Sequence, residues 1–263
     1  MKDPIDKEIR IEILRRIKAA EKEHNVKILF AIESGSRAWG FASPNSDYDV
    51  RFIYAHPQDW YLDISVEGKR DVIEYPIVDE IDINGWDIRK ALMLFWKSNP
   101  AFVEWIQSPI VYVDDGVFTK HVSELLPSIY AHEKGIYHYK HMAKTNYRGY
   151  LRKDLVPLKK YFYVLRPLLA IRWLEEKNEP APIEFDILRK LVKDDKKLSE
   201  EIETLLIRKK ASMEKDMIPQ VPAINDFIET ELERLESYAD VPEREAEDIQ
   251  ALNHLFKQII RNI

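Results

Sequence analysis

A strand that ends in Gly35-Ser36, ten further residues, and then Asp47-Tyr48-Asp49 opening a second strand is the feature that most restricts this chain. Ile28-Leu29-Phe30-Ala31-Ile32 has the apolar run of a buried strand leading into the Gly-Ser turn. Asp47-Tyr48-Asp49-Val50-Arg51-Phe52-Ile53-Tyr54 reads as the second strand. Side chains two apart on a strand share a face, so Asp47 and Asp49 are expected to project together. Two like charges so close destabilise one another unless a cation sits between them. Mg²⁺ suits that place, because it takes carboxylate oxygens and completes its shell with water and substrate phosphates.

The glycine and serine supply the complement. A tight turn between a strand and a helix aims backbone N–H groups at a phosphate. Arg37-Ala38-Trp39-Gly40-Phe41 is placed to begin that helix. Gly35 and Ser36 are therefore expected at the β- and γ-phosphates of a nucleotide, with Ser36 donating its hydroxyl or N–H. Arg37 either reaches the triphosphate or forms an ordinary ion pair. Arg51, two residues beyond Asp49 on the same strand face, either pairs with the aspartates or contacts phosphate. Trp39 is expected to pack beneath the turn.

Composition excludes several chemistries. The chain has 263 residues and no cysteine, which removes disulfide scaffolds, thiolate zinc sites and cysteine nucleophiles. The first twenty residues read as an amphipathic helix and not as a leader peptide. No apolar run approaches the ~18 residues a membrane span needs. A cytoplasmic protein without membrane association is expected. The net charge of −6 is unevenly spread: residues 134–172 carry ten Lys or Arg against one acid, Asp154. That stretch is +9 and leaves −15 elsewhere, and a local basic stripe in an acidic chain still suits polyphosphate or RNA.

Ile5, Ile9, Ile13 and Ile17 recur every four residues and predict a helix over 4–24. Strands are expected at 27–33, 47–55, 70–75 and 79–83, followed by a helix over 87–96. Ser98-Asn99-Pro100 supplies a cap and a first-turn proline for another helix through Trp105. From there to the end the spacing is helical, over 116–127, 133–153, 157–177, 184–193, 198–211, 224–238 and 246–262. Breaks fall at Pro157, Pro180, Pro182, Pro219, Pro222 and Pro242. The expectation is an α+β domain over 1–115 and an all-helical domain over 116–263.

Gly-Ser, a spacer of about ten and Asp-x-Asp on a strand resemble the signature of the DNA polymerase β-like nucleotidyltransferases. The longer string Glu33-Ser-Gly-Ser-Arg-Ala-Trp-Gly-Phe-Ala-Ser-Pro-Asn-Ser-Asp-Tyr-Asp-Val-Arg51 is similar to the members of that superfamily associated with RNA ligase and RNA repair. With the block Gly85-Trp86-Asp87-Ile88-Arg89-Lys90-Ala91-Leu92, Asn99-Pro100 and Glu104-Trp105, the resemblance covers roughly residues 26–175.

The resemblance implies a nucleotidyltransferase domain followed by a helical substrate-binding domain. It also implies a reaction in which a nucleoside monophosphate passes from an NTP such as ATP to a hydroxyl. Two Mg²⁺ ions, with Mn²⁺ as an alternative, would be held by Asp47, Asp49 and a third carboxylate from a neighbouring strand. Ile81-Asp82-Ile83 is the better source, since alternation sets Asp82 opposite two core isoleucines. Asp87 competes, but it falls where a helix begins and fits a first-turn acid.

In the basic stretch, Lys140, Lys144, Arg148 and Arg152 recur along one side of a helix with tyrosines between them. Lys159-Lys160-Tyr161-Phe162-Tyr163-Val164-Leu165-Arg166-Pro167 resembles a block that faces the nucleotide in related transferases. Lys144, Lys160, Tyr163 and Arg166 are the nucleotide-binding candidates there. An RNA end is the implied acceptor. A protein partner, as in adenylylating antitoxins, or a small molecule is the alternative, and a non-catalytic nucleotide- or RNA-binding module is a third reading.

Overall fold

The isoleucine rhythm near the amino end forms α1 (Lys7–His24), where Asp6 accepts the Glu8 N–H at 2.8 Å and Asn25 stops the helix at φ 51°. The computed structural model of the chain describes residues 4–213, 215–238 and 249–263. After α1 come β1 (Lys27–Glu33), a single turn α2 (Gly35–Ala38), β2 (Tyr48–Ala55) and α3 (Gln58–Leu62). A 3₁₀ turn then leads to β3 (Val72–Glu74), β4 (Ile81–Asp87), α4 (Ile88–Trp96), α5 (Pro100–Ile106), β5 (Val111–Asp114) and α6 (Val117–Ile129). The remaining elements are α7 (His132–Tyr150), β6 (Leu155–Pro157), α8 (Leu158–Lys177), α9 (Phe185–Leu188), α10 (Lys196–Ala211), β7 (Met217–Pro219), α11 (Pro222–Leu235) and α12 (Gln250–Ile260).

Five strands form one mixed sheet in the order β3-β4-β2-β1-β5. β1 pairs antiparallel with both β2 and β5, β3 pairs antiparallel with β4, and β2 runs parallel to β4. One sheet face closes on α1: Ile13, Ile17 and Ala20 belong to a buried cluster with Ile28, Ala31, Val50, Phe52, Ile81 and Ile83. α4 packs against β2 and β4, and α6 packs against β1. The strand expected at 79–83 runs on to Asp87, so Gly85 and Trp86 are strand residues. Sequence reasoning left out β5, and also β6 and β7, which pair with each other in a separate two-stranded ribbon.

The described residues fall into two compact units. The first holds residues 4–37, 47–130 and 249–263; the second holds 38–46, 131–213 and 215–238. These differ from the division expected at residue 115. α6 and α12 join the first unit because α6 packs on β1 and β5, while α12 packs on α4 and α6. Residues 38–46 join the second because Phe41 contacts the rings of Phe162 and Phe185, and the Ser43 hydroxyl donates to the Lys209 carbonyl at 2.8 Å. Pro242 and the expected start of the last helix at 246 lie outside the described residues. Among the described residues, no helix is long and apolar enough to cross a membrane.

Gly85 is a close-approach position: a Cβ there would sit 2.3 Å from the ring of Phe52, which is fully buried. Gly85→Ala is expected to cost about 2–3 kcal/mol of stability through overpacking. The double variant with Phe52→Leu should recover part of that loss. Equal urea midpoints for wild type and the single variant would refute the packing argument.

Candidate active site

Asp49 is the second residue of β2, and Asp82 is the second residue of β4. The parallel register places these two directly opposite, Asp49 against Asp82, followed by Val50 against Ile83 and Arg51 against Asn84. Neighbouring strands lie about 4.8 Å apart, so the two carboxylates share one face at close quarters. Val50, Ile81 and Ile83 point the other way, into the core. Alternation is thus what presents the acids to solvent: their side chains keep 29% and 24% of their surface.

A single guanidinium nitrogen bridges the pair. Arg51 Nη2 donates to Asp49 Oδ1 at 3.0 Å and to Asp82 Oδ2 at 2.7 Å. Its Nη1 donates to the carbonyls of Val50 and Asp82, each at 2.9 Å. The ion-pair alternative for Arg51 is therefore the arrangement present. Asn84 Nδ2 approaches Asp82 Oδ1 at 3.5 Å.

Asp47 stands apart from this pair. It precedes the first residue of β2 and is exposed, and its carbonyl accepts Arg37 Nε at 3.2 Å. Arg37 also lies 3.8 Å over the ring of Tyr48. Among the described residues, no three His, Asp or Glu side chains converge as one ion-sized set. Asp87 is the last of the seven residues of β4, opposite Tyr54. There it caps α4 by accepting the Arg89 N–H at 2.8 Å, and Tyr61 donates to its other oxygen at 2.7 Å. Burial raises the Asp87 carboxyl to about 6.

Gly35 opens α2 with φ +60°, and its missing side chain makes room for Asp49. A Cβ at Gly35 would fall 1.9 Å from Asp49 Oδ2. Ser36 follows, half-buried, within the same turn. The main chain of Asp49 is tied on both sides: its carbonyl accepts the Ser34 N–H at 2.8 Å, and its N–H donates to Glu33 Oε1 at 2.9 Å.

Glu33 is the residue that sequence reasoning passed over. It closes β1 with no surface exposed, and Tyr112 of β5 donates to its Oε2 at 2.6 Å. The signal was an acid ending an otherwise apolar strand, directly before the Gly-Ser turn. Burial pushes its carboxyl up to about 7, against the hydrogen bonds from Tyr112 and Asp49. Between about pH 4.5 and 7 the folded chain therefore binds more protons at Glu33 than the unfolded chain, and stability falls as pH rises through that window. The loss amounts to at most about 3 kcal/mol. Glu33→Gln should flatten the decline in urea stability between pH 5 and 7.5, and an undiminished decline in that variant would refute the assignment. Asp87 acts in the same direction, so the comparison with the Gln variant isolates Glu33.

The remaining candidates lie in the second unit. Lys160 Nζ sits 4.0 Å from the Tyr150 ring centre and 4.6 Å from that of Tyr163. Burial lowers the Lys160 pKa. Tyr163 meets Trp39 edge-on, and the buried Arg166 lies 4.1 Å over the same indole. Trp39 thus packs within the second unit, against α8. Lys144 donates to Glu236 at 2.5 Å, and Tyr147 of the same helix donates to Glu229 of α11. The basic face of α7 is therefore partly answered by acids from α11 and the residue after it. A hollow lined by Lys144, Arg148, Arg152, Glu229, Glu233 and Glu236 mixes both signs.

The family described as the RNA repair pathway DNA polymerase beta family matches residues 9–258. The Bacillus subtilis (strain 168) protein YcgL, described as uncharacterized, is 43% identical over 252 residues, which is 95% of this chain and 96% of that protein. The crystal structure of a nucleotidyltransferase-like protein from Exiguobacterium sibiricum 255-15 aligns at 13% identity and a TM-score of 0.35, over 95% of this chain and 91% of that one. With a family match that spans nearly the whole chain, this protein belongs to the RNA repair pathway DNA polymerase beta family and is of the nucleotidyltransferase class.

Proposed function

We propose that the chain transfers a nucleoside monophosphate from an NTP to a hydroxyl of an RNA end, releasing pyrophosphate, with divalent cations held at Asp49 and Asp82 and with Asp47, which lies before the strand, outside that pair. The observation that carries this reading is the register of Asp49 against Asp82 beside the Gly35 turn. The donor set fits Mg²⁺ in its chemistry: it offers only carboxylate oxygens on partly exposed side chains, and the pair already draws a cation, the Arg51 guanidinium. Bound Mg²⁺, two ions in the full reading and replaceable by Mn²⁺, supplies positive charge that favours loss of the acceptor proton and departure of pyrophosphate.

The chain's own groups do the positioning. Glu33 and Ser34 hold the main chain of Asp49 from two sides, and the bare Cα of Gly35 leaves its carboxylate room. Ser36 offers a hydroxyl and an N–H to phosphate oxygens, and Arg37 and Arg51 offer fixed positive charge. Asp87, committed to the cap of α4 and to Tyr61, is left out of the set. In the second unit, Lys160 and Arg166 alternate with Tyr150, Tyr163 and Trp39, a mixture suited to phosphates and a stacked base. Lys144 would add charge once released from Glu236.

The family's description supports RNA as acceptor. The acids that answer the α7 stripe favour the rival acceptors, a protein or a small molecule. Incubation with each α-labelled NTP and Mg²⁺, offering single-stranded RNA, tRNA and total cell protein, separates them. Label on RNA is the expected result. Label on a protein band replaces the acceptor, and bound nucleotide with no transferred label replaces the enzyme by a binding module.

A further inference from the structure

Arg51 stands in the seat where a divalent ion would bridge Asp49 and Asp82. Both carboxylates converge on one atom, Nη2, at 3.0 and 2.7 Å. That is the disposition of two anions sharing a small cation, and it occupies the oxygen that each acid would otherwise turn to the shared ion. Arginine does not vacate such a seat by losing its proton, since its guanidinium stays charged at any ordinary pH. It leaves only for another anion. Nη1 remains fastened to the carbonyls of Val50 and Asp82, a pivot about which Nη2 has to move only a short way.

We propose that Arg51 is a resident counter-cation of the Asp49–Asp82 pair, which excludes a lone divalent ion and yields the seat when a triphosphate takes the guanidinium. Metal and nucleotide then load together. This rests on the metal-assisted reading above and adds the order in which its components bind. Two physical facts favour it. Mg²⁺ dehydrates reluctantly, so an aquated ion without phosphate competes poorly against a guanidinium already paired to both acids. A triphosphate presents paired acceptor oxygens that match the guanidinium fork, and it gives back to the ion what it takes from Arg51. The coupling is reciprocal: whatever factor nucleotide adds to metal affinity, metal adds to nucleotide affinity.

Mn²⁺ binding, read by electron paramagnetic resonance with and without a non-hydrolysable NTP, tests this on the full-length chain. Wild type is expected to bind Mn²⁺ weakly alone and about ten-fold more tightly with nucleotide. Arg51→Gln is expected to bind Mn²⁺ alone about ten-fold more tightly than wild type, as a charge-assisted competitor has gone, and to gain little further from nucleotide. Arg51→Lys, which keeps the charge, should behave nearer to wild type. Adding Asp82→Asn to Arg51→Gln should abolish the gain. Arg51→Gln that melts as a folded protein yet binds Mn²⁺ no more tightly than wild type overturns the counter-cation role and leaves the metal-assisted reading standing. A gain that survives Asp82→Asn also overturns it, by placing the ion elsewhere. Absence of Mn²⁺ binding in every variant, with and without nucleotide, removes the metal-assisted reading and this inference with it.

Discussion

Asp49→Asn is expected to slow nucleotidyl transfer by about 10²–10³-fold, the usual loss when one group that stabilises developing charge is removed. The substitution keeps size and shape, and the Glu33 and Ser34 contacts to the residue-49 main chain are untouched. Folding should therefore change little. One arm of the Arg51 bridge is lost, but the repulsion between two carboxylates in register goes with it. At carboxylates with 29% and 24% of their surface in water, the net effect is within about 1 kcal/mol. Asp82→Asn should behave alike, whereas Asp87→Asn should act on stability through α4 and spare the chemistry. Transfer of α-labelled nucleotide measured beside a thermal melt makes the comparison. An Asp49→Asn protein within two-fold of wild-type rate would remove this residue from the reaction.

Gly35→Ala is expected to damage both the rate and the fold. The residue sits at φ +60°, a region that costs a non-glycine about 1–2 kcal/mol. The added methyl would also lie 1.9 Å from Asp49 Oδ2, so the carboxylate has to turn away or the turn has to open. Displacement of a reacting group by about 1 Å typically costs about 10²-fold in rate. The signature is a rate loss larger than the backbone strain alone would produce, because strain by itself lowers the melting point and leaves the folded fraction active. A variant that melts several degrees lower but transfers nucleotide at the wild-type rate would show that Asp49 tolerates the shift.

Much of this site follows from short-range stereochemistry. Asp49 and Arg51 share a face because they are two apart on one strand, and that reading holds in the structure. The same argument overreached at Asp47. Strand pairing starts at Tyr48, so Asp47 lies before the pleat and is exposed. The preference for Asp82 over Asp87 rested on two different local signals. Alternation sets Asp82 opposite core isoleucines, and the start of an amphipathic pattern marks Asp87 as a first-turn acid, which the structure places one step earlier, as the N-cap of α4.

Other features had no local signature. β5 is four residues long and acts through Tyr112, whose hydroxyl reaches Glu33 from 79 residues away. Until that strand closes beside β1, Glu33 looks like a solvent-facing acid at a strand end. Lys144 shows why charge summed along a window misleads: its partner Glu236 is 92 residues distant and lies outside 134–172. The stretch Arg37–Phe41 has the look of a helix beginning after the turn, yet α2 ends at Ala38, and Trp39 and Phe41 are packed among rings of α8 and α9.

What the sequence determined by itself, then, is whatever depends on neighbours within a few residues: the strand–turn–strand unit, the glycine at its bend, Asp49 and Arg51 on one strand face, and the place of Asp87 at the start of a helix. Tertiary structure alone decided which distant acid stands beside Asp49, that one guanidinium nitrogen binds them both, and that Glu33 is buried. The reason is physical. Side-chain direction within a strand is a property of the local backbone, whereas the register between β2 and β4 and the closing of β5 over Glu33 depend on how residues tens of positions apart bury their apolar faces together.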